Sequence, residues 1–263
     1  MMNILIDMPL FNPFFDSLQN MEEVNVKVIE PSDKSRHLPE ELIEDIDILF
    51  CTTPPLNHEK MRRLKMIQIS SSGYTQLIGQ KLEERNIEVC NALGVFDVPI
   101  AEWNIAMMIS VARNLRGMLH NQDQQIWDRS AQFQNEIRGG IVGIWGYGGI
   151  GRETARVAKA LGMKIHVLTR SGVYSRENIY CVPGTGDESG ILPDRVFLME
   201  EKELFLKELD FLIMAIPQTP GTVGIVSEEE LKLLKPTSFI LNPARGPLIQ
   251  EQALLRALNE KWI

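Results

Sequence analysis

Ile141-Val142-Gly143-Ile144-Trp145-Gly146-Tyr147-Gly148-Gly149-Ile150-Gly151 is the stretch that decides how this chain folds. Its first five residues read as a strand, the next six follow the pattern G-x-G-x-x-G, and Ile150–Leu161 reads as a helix. Alone, the glycine pattern is weak. Between a strand and a helix it has a mechanism: the first glycine makes a tight turn, the second lets backbone approach a pyrophosphate, and the third lets the helix pack closely on the strand. N–H groups without partners at the helix start then face the phosphates. The pattern predicts a dinucleotide held at Gly146, Tyr147, Gly148, Gly149, Ile150 and Gly151; a glycine-rich turn with no ligand is the alternative.

The end of the next strand, Lys164–Leu168, tests which dinucleotide. An acid there accepts from the ribose 2′-OH of NAD, whereas an arginine accommodates the 2′-phosphate of NADP. Here the residues are Thr169, Arg170 and Ser171. One guanidinium and two hydroxyls suit a dianion and leave a ribose diol without an acceptor. The reading is NADP(H) preferred with NAD(H) possible; a solvated Arg170 without a ligand is the alternative. Further strands are expected at Asp210–Ala215 and Ser238–Leu241, with helices at Met199–Glu208, Glu228–Leu233 and Gln250–Asn259. Ser171–Arg195, rich in Gly, Ser and Pro, reads mainly as loop.

Upstream, short apolar runs alternate with polar helical segments. Strands are expected at Asn3–Asp7, Asn25–Ile29, Asp47–Cys51, Met66–Ser70 and Ile87–Cys90, and helices at Pro39–Asp45, Asn57–Leu64 and Leu77–Arg85. Alternation of this kind implies a second parallel α/β sheet. A long helical segment, Pro99–Gln125, then repeats apolar residues at helical spacing, with proline in its first turn. It is an interdomain bridge, an oligomer contact or a plain core helix. The expected division is residues 1–98 and 99–263.

Composition sets outer limits. The 263 residues carry a net charge of -8, 44% hydrophobic and 24% charged residues, as in ordinary soluble domains. With no basic run, that charge argues against nucleic acid. Cys51, Cys90 and Cys181 are scattered and odd in number, which suits neither a disulfide framework nor a zinc site and points to a reducing cytoplasm. The amino-terminal residues lack the features of a signal peptide, and no apolar run reaches the ~18 residues of a membrane span.

Four stretches together resemble the D-isomer-specific 2-hydroxyacid dehydrogenase family over nearly the whole chain. They are the glycine turn with its helix and Gly162-Met163-Lys164; Asn91-Ala92-Leu93-Gly94-Val95-Phe96-Asp97-Val98-Pro99-Ile100-Ala101-Glu102; Ala215-Ile216-Pro217-Gln218-Thr219-Pro220-Gly221-Thr222; and Leu241-Asn242-Pro243-Ala244-Arg245-Gly246. The resemblance implies an α/β protein of two domains, a flavodoxin-like substrate domain and a Rossmann-type coenzyme domain, both with parallel sheets. It implies that Ala215, Ile216, Pro217, Thr222, Asn242 and Ala244 line the coenzyme and that Arg245 grips a 2-oxo acid. A planar double donor matches a carboxylate and can polarise a carbonyl accepting hydride; a surface ion pair is the alternative for Arg245. Ser71-Ser72-Gly73-Tyr74-Thr75 is similar to the family loop whose backbone N–H groups hold the substrate carboxylate. It departs from the pattern in its serines and in Thr75, which replaces the usual aspartate. Ser72 and Gly73 are carried over as donors, and Tyr74 as a pocket wall.

Reduction of a ketone also needs a proton for the alkoxide. The resemblance implies a histidine oriented by a glutamate, both downstream of the arginine, whereas this sequence reaches Ile263 before either. His37, His58, His120 and His166 all lie upstream, and none is assigned the role. The expectation is that the native product continues beyond Ile263 with a glutamate and then a histidine. The resulting expectation is a cytoplasmic, homodimeric reductase of a small 2-oxo acid such as glyoxylate or hydroxypyruvate. The alternative is a non-catalytic dinucleotide sensor or interaction protein lacking the proton donor.

Overall fold

Parallel sheets organise both halves of the chain, as the alternation of apolar runs and helices requires. The structure, a computed structural model, describes residues 1–130 and 135–263. It divides into two units, Met1–Leu93 and Gly94–Ile263, a boundary a few residues before the expected one.

In the first unit, β1 (Met2–Asp7), β2 (Val24–Val28), β3 (Ile48–Cys51), β4 (Met66–Ile69) and β5 (Glu88–Cys90) form one parallel sheet in the order β2-β1-β3-β4-β5. This is the flavodoxin-like order. Every expected strand is present to within a residue at each end. Leu5, Leu49, Ile67 and Ile69 are inaccessible to solvent and pack with Ile43, Ile46 and Met61. Full burial of each such side chain contributes about 1.5–3 kcal/mol, more than local propensity differences, so the core fixes these strands.

The helices of this unit differ more from expectation. Residues 12–19, given no element from the sequence, form α1 (Asn12–Gln19), which starts with a proline in its first turn. The segment Pro39–Asp45 shortens to α2 (Glu40–Ile43). The expected helix at Asn57–Leu64 is only a 3₁₀ turn, His58–Lys60, which ends at Met61 with a non-helical ψ of 77°; the Arg85 guanidinium braces this turn by donating to the carbonyls of His58 and Met61. The expected helix at Leu77–Arg85 is two 3₁₀ turns, Thr75–Leu77 and Glu83–Arg85. Between them Gly79 and Lys81 take left-handed backbone angles, φ 81° and 52°, which a helix does not tolerate.

The second unit carries β6 (Ile141–Trp145), β7 (Lys164–Thr169), β8 (Arg195–Leu198), β9 (Phe211–Met214) and β10 (Phe239–Leu241) in the parallel order β10-β9-β6-β7-β8. Renumbered from β6, this is the 3-2-1-4-5 progression of a dinucleotide-binding sheet. Strand β8 lay hidden at the end of the presumed loop: only Phe197 of its four residues is buried, so it carries too little apolar pattern to read as a strand. The expected helix at Met199–Glu208 is a 3₁₀ turn followed by α6 (Lys202–Lys207), whereas α7 (Glu228–Leu233) and α8 (Glu251–Asn259) lie where expected. The long helix breaks in two, α3 (Asp97–Ala112) and α4 (Leu115–Asp123). Asn114 makes the break with a left-handed φ of 46°, and its side chain accepts from Gly117 N–H to cap α4. After the glycine turn, α5 (Gly149–Ala160) packs on α3, with a buried 3.0 Å hydrogen bond from Asn104 to Thr154.

Candidate functional site: a dinucleotide turn and a backbone loop

Four of the five strands of the second sheet present a predicted site residue at the carboxyl end. Gly146 follows β6, Thr169 closes β7, Ala215 follows β9 and Asn242 follows β10, so all lie along one edge of the sheet. The strand order reverses between β6 and β9, and the crevice beside such a reversal is where ligands enter open α/β sheets.

The three glycines of the motif play different parts. Gly146 has a φ of 97°, and a Cβ there would sit 2.6 Å from the Ala215 carbonyl oxygen. A Cβ on Gly151 would lie 2.5 Å from the Gly146 carbonyl oxygen, so this glycine brings the helix against the turn. At Gly148 no atom lies within 4 Å of a Cβ position and φ is −80°, so the fold itself does not demand glycine. The N–H groups of Gly149, Ile150 and Gly151 find no acceptor among the described residues. They are the free donors at a helix start that suit a phosphate.

A feature invisible in the sequence clamps this turn from one side. Tyr147 is buried, and its hydroxyl donates to Asp187 Oδ2 at 2.6 Å. Burial and that bond push the phenol up. Burial alone would raise the Asp187 carboxyl, but bonds from Tyr147 and from the Leu192 and Ile191 N–H groups hold it below the usual range. Arg152 ties the same segment down, donating to the carbonyls of Tyr147, Asp187 and Tyr174. Asp97, in the first turn of α3, lies where a Cβ on Gly149 would go. Its carboxyl is buried and raised by desolvation, despite the nearby Arg176. The only sequence sign of this pairing is a glycine at a position where G-x-G-x-x-G admits any residue.

The remaining predicted coenzyme residues divide into free groups and braces. Arg170 and Ser171 are exposed, and neither side chain has a partner among the described residues, whereas Thr169 Oγ1 accepts from Gly172 N–H at 2.8 Å. Ala215 and Ile216 border Gly146, and Pro217 is exposed. Thr222 donates to the Pro217 carbonyl and accepts from Thr219 N–H, which holds that loop in shape. Asn242 accepts from the N–H groups of Ala244 and Arg245 and donates to the Arg245 carbonyl. Its amide is therefore a brace for the arginine loop. Arg245 is half-buried, and one Nη donates to the Ala244 carbonyl; no carboxylate lies within ion-pair distance among the described residues. The alternative of a surface ion pair at Arg245 has no support in the structure.

In the first unit the segment Ser70–Tyr74 leaves the carboxyl end of β4. The Ser71 carbonyl accepts from Ala92 N–H at 3.1 Å, and Ser72 O accepts from Asn91 Nδ2 at 2.7 Å. Ser72 Oγ donates to the Ala92 carbonyl and Ser71 Oγ to the Gly73 carbonyl. The N–H groups of Ser72, Gly73 and Tyr74 have no acceptor among the described residues, and the Tyr74 ring is exposed. Of the histidines, His37 and His120 are exposed, His58 is buried against Gln80, and His166 is buried in β7 beside Phe197. Among the described residues no group of three or more His, Cys, Asp or Glu could hold a metal ion, and no helix is long and apolar enough to cross a membrane.

A glycine-turn sheet of order 3-2-1-4-5 joined to a flavodoxin-like sheet defines a two-unit, dinucleotide-binding α/β protein. The profile of the D-isomer specific 2-hydroxyacid dehydrogenase NAD-binding domain matches residues 105–263, and the chain belongs to that family. It is 30% identical to a D-3-phosphoglycerate dehydrogenase of Methanocaldococcus jannaschii over 99% of this chain, of which it spans about half, 47%. It is also 30% identical to a glyoxylate reductase of Pyrococcus furiosus, with 92% of this chain and 71% of that protein covered. Among solved structures, an acyclic imino acid reductase in complex with NADPH and D-Arg superposes with a TM-score of 0.80 at 24% identity, covering 100% of this chain and 80% of the other. D-lactate dehydrogenase from Aquifex aeolicus, complexed with NAD and lactic acid, gives a TM-score of 0.78 at 20% identity, with 99% and 74% covered. These structural likenesses establish the α/β fold with its two parallel five-stranded sheets.

Proposed function

We propose that the protein reduces a small 2-oxo acid to the D-2-hydroxy acid with NADP(H) preferred over NAD(H). The observation that carries this reading is Arg245, a guanidinium without a carboxylate partner among the described residues, on a loop braced by Asn242. Bound coenzyme would supply the hydride, and the alkoxide formed at the carbonyl oxygen would take its proton from water or an acid side chain. Arg245 would take the substrate's carboxylate and carbonyl oxygen with its fork, drawing electron density from the carbon that accepts hydride. The N–H groups of Ser72 and Gly73 would hold the carboxylate, with Tyr74 as a wall. Gly146–Gly151 would seat the pyrophosphate, Arg170 and Ser171 the 2′-phosphate, and Ala215–Pro217 and Ala244 would border the nicotinamide half. Glyoxylate and hydroxypyruvate are the first substrates to test, and the glyoxylate reductase of Pyrococcus furiosus supports that choice.

The test is NADPH oxidation by the purified protein with glyoxylate or hydroxypyruvate, paired with a coenzyme titration. Turnover with NADPH favoured over NADH supports the reading. Tight NADPH binding by the full-length product without turnover of any 2-oxo acid supports the sensor reading instead. A homodimer is proposed through α3 and α4, which expose Trp103, Ile109, Val111, Leu115 and Leu119. Sedimentation at micromolar concentration that finds only monomer refutes it. A reducing, cytoplasmic setting suits the exposed thiols of Cys90 and Cys181.

A further inference from the structure

We infer that Gln76 is a positioning residue for substrate and that it adds Tyr74 N–H as a third backbone donor to the carboxylate loop. The inference rests on the proposed reading of that loop, and its argument is one of peptide geometry. A trans peptide is planar, with N–H pointing opposite to C=O. Holding a carbonyl therefore sets the direction of the next residue's N–H. Ala92 N–H holds the Ser71 carbonyl and thus aims Ser72 N–H. Asn91 Nδ2 holds the Ser72 carbonyl and thus aims Gly73 N–H. The third plane is held by Ser71 Oγ, which donates to the Gly73 carbonyl at 2.7 Å and so aims Tyr74 N–H.

That third pin is the least secure by itself, because a hydroxyl rotates freely and could donate elsewhere. Gln76 removes the freedom. Its Nε2 donates to Ser71 Oγ at 3.0 Å, occupying a lone pair and leaving the hydroxyl proton to point at Gly73. The same Nε2 donates to the Thr52 carbonyl at 3.1 Å, which anchors the amide to the end of β3. The relay from Gln76 through Ser71 to Gly73 lies within the first unit. Three consecutive N–H groups, each with its direction fixed and none with an acceptor among the described residues, form a set of donors matched to a carboxylate.

The experiment is an ¹⁵N-resolved NMR titration of the full chain with oxamate, a carboxylate analogue of a 2-oxo acid, in wild type, Gln76→Met and Ser71→Ala. In wild type, the amide resonances of Ser72, Gly73 and Tyr74 should all move to a common saturation. In Gln76→Met the Tyr74 response should collapse while Ser72 and Gly73 still respond, and oxamate affinity should fall about three- to tenfold. NADPH affinity should not change. Ser71→Ala should reproduce the pattern and serves as the deciding variant if Gln76→Met loses its folded spectrum. Ser72 and Gly73 moving in wild type without Tyr74 would overturn the inference. So would an unaltered Tyr74 response in both variants. If none of the three amides responds, the carboxylate reading of the loop fails and the inference falls with it, a different result from the first two.

Discussion

Adding one methyl group at two glycines of the same turn should have opposite consequences. Gly146→Ala forces an L side chain onto a φ of 97° and drives its Cβ to 2.6 Å from the Ala215 carbonyl and 2.7 Å from Ile216 Cγ2. The left-handed backbone costs about 1–2 kcal/mol. The clash adds about 1–3 kcal/mol, since the end of β9 is held by Ala215 N–H bonding to the Trp145 carbonyl and cannot withdraw freely. A loss of roughly 2–5 kcal/mol in stability is expected before any coenzyme is added. Gly148→Ala meets nothing within 4 Å at a φ of −80°. There the methyl only reduces the freedom of the unfolded chain, which should stabilise by about 0.4–1 kcal/mol. If the pyrophosphate lies against this glycine, however, the methyl occupies its place. An overpacking cost of about 1–3 kcal/mol then weakens NADPH binding by roughly five- to 150-fold. Denaturant melts of the coenzyme-free proteins and fluorescence titrations with NADPH separate the two effects. Wild-type NADPH affinity in Gly148→Ala would refute the argument that the space beside Gly148 is ligand space.

Further expectations concern the free cations and one buried histidine. Arg170→Ala should weaken NADPH binding about tenfold or more, the worth of a charge-assisted bond, and leave NADH nearly unaffected, as paired titrations would show; equal losses would sink the 2′-phosphate role. Arg245→Lys keeps the charge but loses the fork, so kcat/KM for the 2-oxo acid should fall by about 100-fold with NADPH affinity unchanged, and steady-state kinetics unaffected by the change would contradict its assignment. Burial lowers the His166 pKa, against the opposing pull of Glu208. The folded state thus binds fewer protons than the unfolded state, and stability should be full above about pH 6.5 and decline as pH falls from there through the folded pKa. An NMR titration placing the His166 imidazole above 6.5 would show that Glu208 outweighs burial.

Both sheets were legible because their central strands are covered on two faces, so that runs such as Ile4-Leu5-Ile6 and Phe211-Leu212-Ile213-Met214 are apolar throughout. What failed to show is decided by long-range or single-atom effects. Nothing local announces that the chain leaves helical angles at Met61, or that Arg85, twenty-odd residues downstream, braces the short turn through the carbonyls of His58 and Met61. The break at Asn114 is one residue's excursion into left-handed space within an apolar periodicity that continues past it. Strand β8 at the sheet edge buries only Phe197, and none of the described side chains of α1 is fully buried. The motifs of the candidate site were visible as motifs, but their division of labour was not. Asn242, Thr222 and Thr169 read as coenzyme contacts, yet each has its polar side chain engaged with neighbouring backbone.

That division of labour bears on the kind of ligand each unit can hold. Of the predicted site residues, Asn242, Thr222, Thr169 and Ser72 have their acceptor-bearing side chains tied to neighbouring backbone, as has Ser71 beside them. Among the described residues, the groups left free are mainly donors: the N–H groups at Gly149–Gly151 and Ser72–Tyr74, the Arg170 guanidinium and the part of the Arg245 guanidinium not bonded to Ala244, with the hydroxyls of Ser171 and Tyr74 beside them. A surface with many free donors and few free acceptors selects anions, because a neutral or cationic ligand would leave those donors without partners once water is excluded. Asp97 is the exception, an anion beside the amino end of α5, and its burial raises its pKa and so reduces the cost of neutralising it. If recognition works this way, Asp97→Asn should strengthen NADPH binding, and the gain should shrink as pH falls and the wild-type carboxyl takes up its proton. An NADPH affinity unchanged by Asp97→Asn at every pH would place the pyrophosphate away from Asp97.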